Sequence, residues 1–276
     1  MRRVVIVLQS SENKDTSLAI WQRLRTLAKP FPFEVDHEDP AFGLPNHTDF
    51  TRGEAAAASL TPKGVARIAL SDTFFNQPEE QLGVLFHELV HIRLFLGRFA
   101  RCYRRMKEIE THFNQLPPAS NAEDARLGEY HWAVVAALIQ LPHEIGVDTY
   151  MALPGHDWLS QEVWTTRARA FHQGYLVLSD NDCPAVFRPY VLFHRLLATE
   201  LGLRVLPDIA EKPALVTLRD ERLNALREAC DERLFNSLSD SRRRLLAIDV
   251  STNDEDPDSY SEVADAVQAL SIHQTN

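Results

Sequence analysis

The pattern of apolar and polar positions changes along the chain. Short apolar runs at 4–8, 33–36 and 65–70 are typical of buried β-strands. Elsewhere the apolar residues recur with the period of a helix, broken by Pro and Gly. Beyond the segment that carries the main motif, the spacing predicts helices at 16–29, 54–60, 98–116, 120–141, 160–178, 185–203, 219–248 and 262–270.

One predicted helix is apolar on nearly all of its faces. It begins near Asn76, has Pro78 in its first turn, and ends before Gly97. A helix that is apolar all round is expected to be buried. It nevertheless contains three polar side chains, those of His87, Glu88 and His91, and buried polar groups need partners.

These three residues form the pattern H-E-x-x-H, from His87 to His91. Residues four apart lie on one face of a helix, so both imidazoles can reach one metal ion. The intervening Glu88 is then placed to accept a proton from metal-bound water. The alternative without a metal site is a helix with two unrelated histidines, one of them packed in the core.

A catalytic zinc site usually needs a third protein ligand. Glu144 is the favoured candidate, because it lies on an apolar stretch that is predicted to be helical, and Asp148 follows one turn later. Glu110 is the rival, with 18 residues between it and His91, but its surroundings are highly charged. The alternative without a metal site is that Glu144 and Asp148 are an ordinary solvated pair of carboxylates on a helix surface.

The two motifs together resemble the gluzincins, the thermolysin-like clan of zinc metallopeptidases. The resemblance implies that His87, His91 and Glu144 bind zinc and that Asp148 orients His87. The spacing to Glu144 is similar to that of Ste24-type or ImmA/IrrE-type proteins, although Val147 stands where those groups have a small Ala. Only these two stretches and the strand at 65–70 carry the likeness.

The same resemblance implies a histidine or tyrosine that stabilises the oxyanion. Tyr150 and His156 are candidates, and His131 and His172 stay open as well. In gluzincins the strand before the metal helix forms the edge of the cleft, so we expect the strand at 65–70 to be an edge strand that pairs with substrate.

The predicted fold class is α+β, mostly helical, with a small N-terminal β-sheet packed on the zinc-binding helices. We expect a single zincin-like domain over 1–250 with a helical C-terminal half. The polar and acidic stretch 251–276 is expected to be a mobile tail, with a short helix at 262–270.

The composition of the chain limits which classes of binding partner are expected. The net charge of −10 and the pI near 5.6 argue against nucleic acid. Three scattered cysteines imply no disulfide framework, and no apolar run suits a signal peptide or a membrane span, so a soluble cytoplasmic protein is expected. The expected partner is a peptide or protein substrate, and the oligomeric state stays open.

The expected function is zinc-dependent hydrolysis of peptide bonds, with Glu88 as general base. Two other classes remain. One is a zinc-binding regulatory or interaction protein of the ImmA/IrrE type with little or no peptidase activity, and the other is a metal-free helical scaffold. Peptide turnover separates the first two classes, and metal content separates both from the third.

Overall fold

The computed structural model describes residues 2–8, 33–38, 56–60, 66–70, 81–95, 121–174, 183–247 and 262–270, with isolated positions at 22–29 and 104–115. The chain forms two compact units. The first unit contains Met1–Gly97 and Leu153–Val163, and the second contains Arg98–Ala152 and Trp164–Asn276. The first unit is therefore discontinuous in sequence.

Four short strands in the first unit form one sheet. They are β1 (Arg2–Leu8), β2 (Phe33–Glu38), β3 (Ala56–Leu60) and β4 (Ala66–Leu70), in the spatial order β2-β1-β4-β3. The β1 strand is parallel to β2 and β4, whereas β3 pairs with β4 antiparallel. The expectation that the strand at 65–70 is an edge strand is wrong, because β1 and β3 flank β4 on both sides.

The Ala-rich segment predicted as a helix at 54–60 is instead the strand β3. Alanine has the highest helix propensity of all residues, but tertiary contacts readily override propensity, and a segment this short cannot form a stable helix alone. The antiparallel ladder from Ala56 opposite Leu70 to Leu60 opposite Ala66 pairs the backbone groups on the side of this strand that faces β4. Pairing with a neighbouring strand has overridden the local preference.

The predicted metal helix is present as α1 (Gln81–Phe95), and it packs against β3 and β4. Its side chains are buried around most of the circumference. Leu85, Leu89, Val90 and Ile92 are fully buried, as the apolar pattern predicted. The proposed start near Asn76 and the stop at Gly97 lie outside the described residues.

The rest of the described chain is almost wholly helical. Its helices are α2 (Ala122–Met151), α3 (Gln161–Gln173), α4 (Arg188–Val205), α5 (Lys212–Ala229), α6 (Glu232–Leu246) and α7 (Glu262–Gln268). The α4 helix packs on α2, α5 and α6, and its Phe193, Leu196 and Leu201 are fully buried. None of the helices in the described part is long and apolar enough for a membrane crossing.

Pro142 was expected either to kink the helix predicted at 120–141 or to start a new one. The α2 helix continues through Pro142 to Met151, and its N-cap is Asn121, whose side chain accepts a hydrogen bond from the Asp124 amide at 2.9 Å. The single helix predicted at 219–248 is two helices. Asp231 caps the second, and its Oδ1 accepts from the Leu234 amide at 2.7 Å.

The expected class, α+β with a sheet packed on the zinc-binding helices, is corrected to a mainly helical fold. Helices contain most of the described residues and nearly all of the described core side chains, and Ile68 is the one buried strand side chain among them. Contact with the sheet is made by α1. The described core side chains therefore come mainly from the helices.

The stretch expected as a mobile tail contains the short helix that was predicted within it. This α7 helix buries Val263, Ala264 and Val267, and it packs against α2 and α6. Burial of these apolar side chains stabilises the contact of α7 with α2 and α6, and the mobility expected of 251–276 stays a prediction. Residues 248–261 and 271–276 lie outside the described part.

Candidate metal centre

His87 and His91 lie one turn apart on α1, and their rings converge. The Nε2 atom of His87 is 2.8 Å from Nε2 of His91, and the ring centroids are 4.4 Å apart with the planes at 83°. His91 is buried and His87 is partly buried. The predicted sharing of one helix face is confirmed, and both imidazoles present the same nitrogen to one point in space.

The donor set fits a zinc ion. Two neutral imidazoles in contact through Nε2 share a single hydrogen between those atoms, and a metal can take its place when both rings carry their hydrogen on Nδ1. Tetrahedral zinc with bonds of about 2.0–2.1 Å holds two ligand nitrogens about 3.3 Å apart. The observed separation therefore needs to open by only about 0.5 Å.

Glu88 completes the cluster from the adjoining position on α1. One ligand atom from each of His87, Glu88 and His91 lies within 4.8 Å of the others, and the Glu88 side chain is only 7% exposed. A carboxylate buried to this extent is stabilised by a nearby cation. Arg93 lies two residues beyond His91 on the same helix. Burial lowers the pKa of its guanidinium from the ordinary value.

The predicted ligand Glu144 lies on α2 in the second unit, where it is partly buried, as is Tyr150. Asp148, one turn after Glu144, is completely buried and pairs with Arg167, with 2.5 Å between Asp148 Oδ2 and Arg167 Nη2. Ligation of zinc by Glu144 and orientation of His87 by Asp148 remain predictions. Helical spacing alone did not reveal Arg167, because it lies on a different helix.

The oxyanion candidates have different surroundings. His156 belongs to the first unit, like α1, and its ring centroid is 4.8 Å from that of Phe86, the residue before His87. His131 in the second unit is buried, with Nε2 2.6 Å from the Val267 carbonyl oxygen, and His172 on α3 is exposed. His156 is therefore the candidate that shares a unit with the histidine pair.

Comparison with known proteins gives no further guide to this site. No protein family, no curated protein and no solved structure matches the chain. The class of this protein is thus defined by the site alone. The grouping of His87, Glu88 and His91 on α1 makes it a candidate metal-binding protein with H-E-x-x-H geometry.

Proposed function

We propose that this protein is a zinc-dependent peptide hydrolase. The observation that carries the proposal is the convergence of the His87 and His91 Nε2 atoms, 2.8 Å apart, beside the buried carboxylate of Glu88. A bound zinc supplies a water of lowered pKa and a Lewis acid for the peptide carbonyl. Two imidazoles on one helical face as metal ligands, with a carboxylate between them as general base, are the groups that this chemistry uses.

The chain's own residues have distinct roles in this proposal. His87 and His91 hold the metal through Nε2, and Glu144 is the proposed third ligand, a role that rests on the sequence pattern. Glu88 accepts a proton from the attacking water and passes it to the leaving amine. A carboxylate with only 7% exposure is shielded from bulk water, which strengthens its interaction with nearby charge.

Two variants test binding and catalysis separately. His87→Ala should abolish the zinc content of about one ion per chain, whereas Glu88→Gln should retain zinc because its side chain has nearly the same shape. Peptide hydrolysis by Glu88→Gln should fall by about a hundredfold or more, the usual worth of a positioned base. Elemental analysis and turnover of a mixed peptide library measure the two effects.

The controls use exposed residues of the same types on other helices. His172→Ala on α3 should leave the zinc content unchanged, and Glu129→Gln on α2 should change neither zinc content nor turnover. Chelator-free protein that takes up no zinc would contradict the metal site. Wild-type protein that holds zinc and cleaves no peptide would contradict hydrolysis and favour the zinc-binding regulatory class.

A further inference from the structure

The segment Leu153–Val163 leaves the helical second unit in sequence and belongs to the unit that carries the histidine pair. It is held close to α1 at a glycine. A Cβ added at Gly83 would lie 2.4 Å from Cγ2 of Val163, so this approach requires the absence of a side chain. Val163 and Leu159 are each only 6% exposed, which fixes the second half of the segment in place.

Two aromatic side chains of this segment meet α1 at Phe86, immediately before His87. The His156 and Trp158 ring centroids lie 4.8 and 4.9 Å from that of Phe86, with interplanar angles of 67° and 72°. Both contacts are edge-to-face, which is a favourable geometry for aromatic rings. Phe86 is itself only 2% exposed, so the Phe86–His156–Trp158 cluster is packed on a buried side chain.

Trp158 remains 39% exposed even though its indole packs on Phe86. Among the described residues, the other large exposed apolar side chains are Val186 and Val216, and both belong to the second unit. The backbone on either side is held by turns, since the Leu159 amide donates to the His156 carbonyl at 2.9 Å. The exposed indole surface is therefore built into the fold next to the metal helix.

We propose that Trp158 forms a specificity subsite that binds a large apolar side chain of the peptide substrate. This inference rests on the proposed function, and it adds the class of substrate. Trp158 packs on the residue that precedes His87, and extended peptide spans only about 3.3–3.6 Å per residue, so the proposal places the apolar side chain within a few residues of the scissile bond. Apolar contact with an indole face favours Leu or Phe over Ala at that position.

Binding is the primary test, and it does not depend on turnover. Two fluorescein-labelled hexapeptide pools are matched in sequence, one with Leu or Phe and the other with Ala at each varied position. Their dissociation constants are measured by anisotropy on the zinc-loaded full chain carrying Glu88→Gln, with and without Trp158→Ala. We expect about tenfold tighter binding of the Leu/Phe pool, and loss of most of that preference in Trp158→Ala.

Two further variants keep the result interpretable. Trp158→Phe should retain most of the preference, because an aromatic ring still stands on Phe86. Val216→Ala, a truncation at a similarly exposed apolar residue elsewhere, should leave it unchanged. Equal binding of both pools, absence of binding by either pool, or an undiminished preference in folded Trp158→Ala would overturn the subsite.

Cleavage of the same pools by the wild-type chain separates the two proposals. If the Leu/Phe preference depends on Trp158 and neither pool is cleaved, the subsite stands and the hydrolase function fails. If both pools are cleaved at equal rates and bind equally, hydrolysis stands and the subsite fails. If the wild-type chain cleaves peptide, prefers the Leu/Phe pool, and loses that preference in Trp158→Ala, the hydrolase function and the subsite are both supported.

Discussion

Asp148 on α2 and Arg167 on α3 form an ion pair in which the carboxylate is completely buried and the guanidinium side chain is 15% exposed. Their Oδ2 and Nη2 atoms are 2.5 Å apart. The charge of Asp148 is thus balanced by a residue of its own unit. The pair joins two helices that the sequence pattern treated as independent, and it gives Asp148 a structural role beside the one implied by the gluzincin resemblance.

Removal of the cation from this pair should destabilise the fold. Arg167→Met keeps an unbranched side chain but leaves the buried carboxylate without its guanidinium, and breaking such a pair typically costs about 3–5 kcal/mol. Urea unfolding gives the free energy of unfolding. Arg169→Met, an exposed position on the same helix, should change it by less than about 0.5 kcal/mol. Equal stability of the two variants would refute the structural role of the pair.

Gly83→Ala should also destabilise the protein. The added methyl would lie 2.4 and 2.5 Å from the two γ-carbons of the buried Val163, and overpacking of this kind costs about 1–3 kcal/mol. The gain in helix propensity, about 1 kcal/mol, offsets only part of that cost. Thermal unfolding should therefore show a lower midpoint.

Gly128 on α2 provides a matched control for this substitution. A Cβ at Gly128 meets nothing within 4 Å, so Gly128→Ala should stabilise the helix by about 0.5–1 kcal/mol. Opposite signs for the two substitutions are the expected result. A stabilising Gly83→Ala would contradict the close approach of the Leu153–Val163 segment to α1.

His194 on α4 should make stability depend on pH. Burial, the largest cause, acts with the neighbouring Arg195 and Arg222 to lower its pKa from 6.5 to about 4, and hydrogen bonds with the Gly174 and Ala137 backbone act in the opposite direction. The unfolded chain therefore binds a proton at a higher pH than the folded chain does. Stability contributed by the neutral imidazole is complete above about pH 6.5 and decreases as the pH falls towards 4.

The size of this effect follows from the difference between the two pKa values. Between about pH 7.5 and pH 5, His194 should account for a loss of about 2 kcal/mol in the free energy of unfolding. His194→Gln removes the titration, so the difference between wild type and variant isolates this residue from the carboxylates. Parallel stability curves for the two proteins across this range would show that the imidazole does not titrate as expected.

The proposal that Glu144 is a third zinc ligand can be tested by comparing Glu144→Ala with Glu110→Ala. If Glu144 is the ligand, its truncation should weaken zinc binding by about tenfold or more in a chelator competition, whereas Glu110→Ala should leave the affinity unchanged. X-ray absorption of the wild-type zinc protein should show an oxygen at about 2.0–2.2 Å beside two imidazole nitrogens. The reverse pattern would assign the ligand to Glu110.

Local sequence patterns predicted the features that depend on one helix alone. The apolar circumference of α1 and the shared face of His87 and His91 both follow from a spacing of 3.6 residues per turn. The break between α5 and α6 had a readable signal as well, because Asp231 followed by Glu232 is a typical helix start. That signal was outweighed by the continuous helical spacing around it.

Features that depend on distant partners were not predictable in the same way. Whether 56–60 forms a helix or a strand depends on pairing with β4, and the interior position of β4 depends on β1, more than fifty residues earlier. The Asp148–Arg167 pair and the contact of Trp158 with Phe86 join different elements of the chain. Nothing in the spacing along a single element encodes such contacts.

The discontinuity of the first unit has a consequence for folding during synthesis. Its last segment, Leu153–Val163, emerges from the ribosome well after Gly97. At about 5–20 residues per second, the N-terminal part waits roughly 3–13 s for the residues that cover Gly83 and Phe86. While α2 is being synthesised, the apolar surface around Gly83 and Phe86 therefore lacks the segment that covers it. Chaperones can shield this surface during that interval.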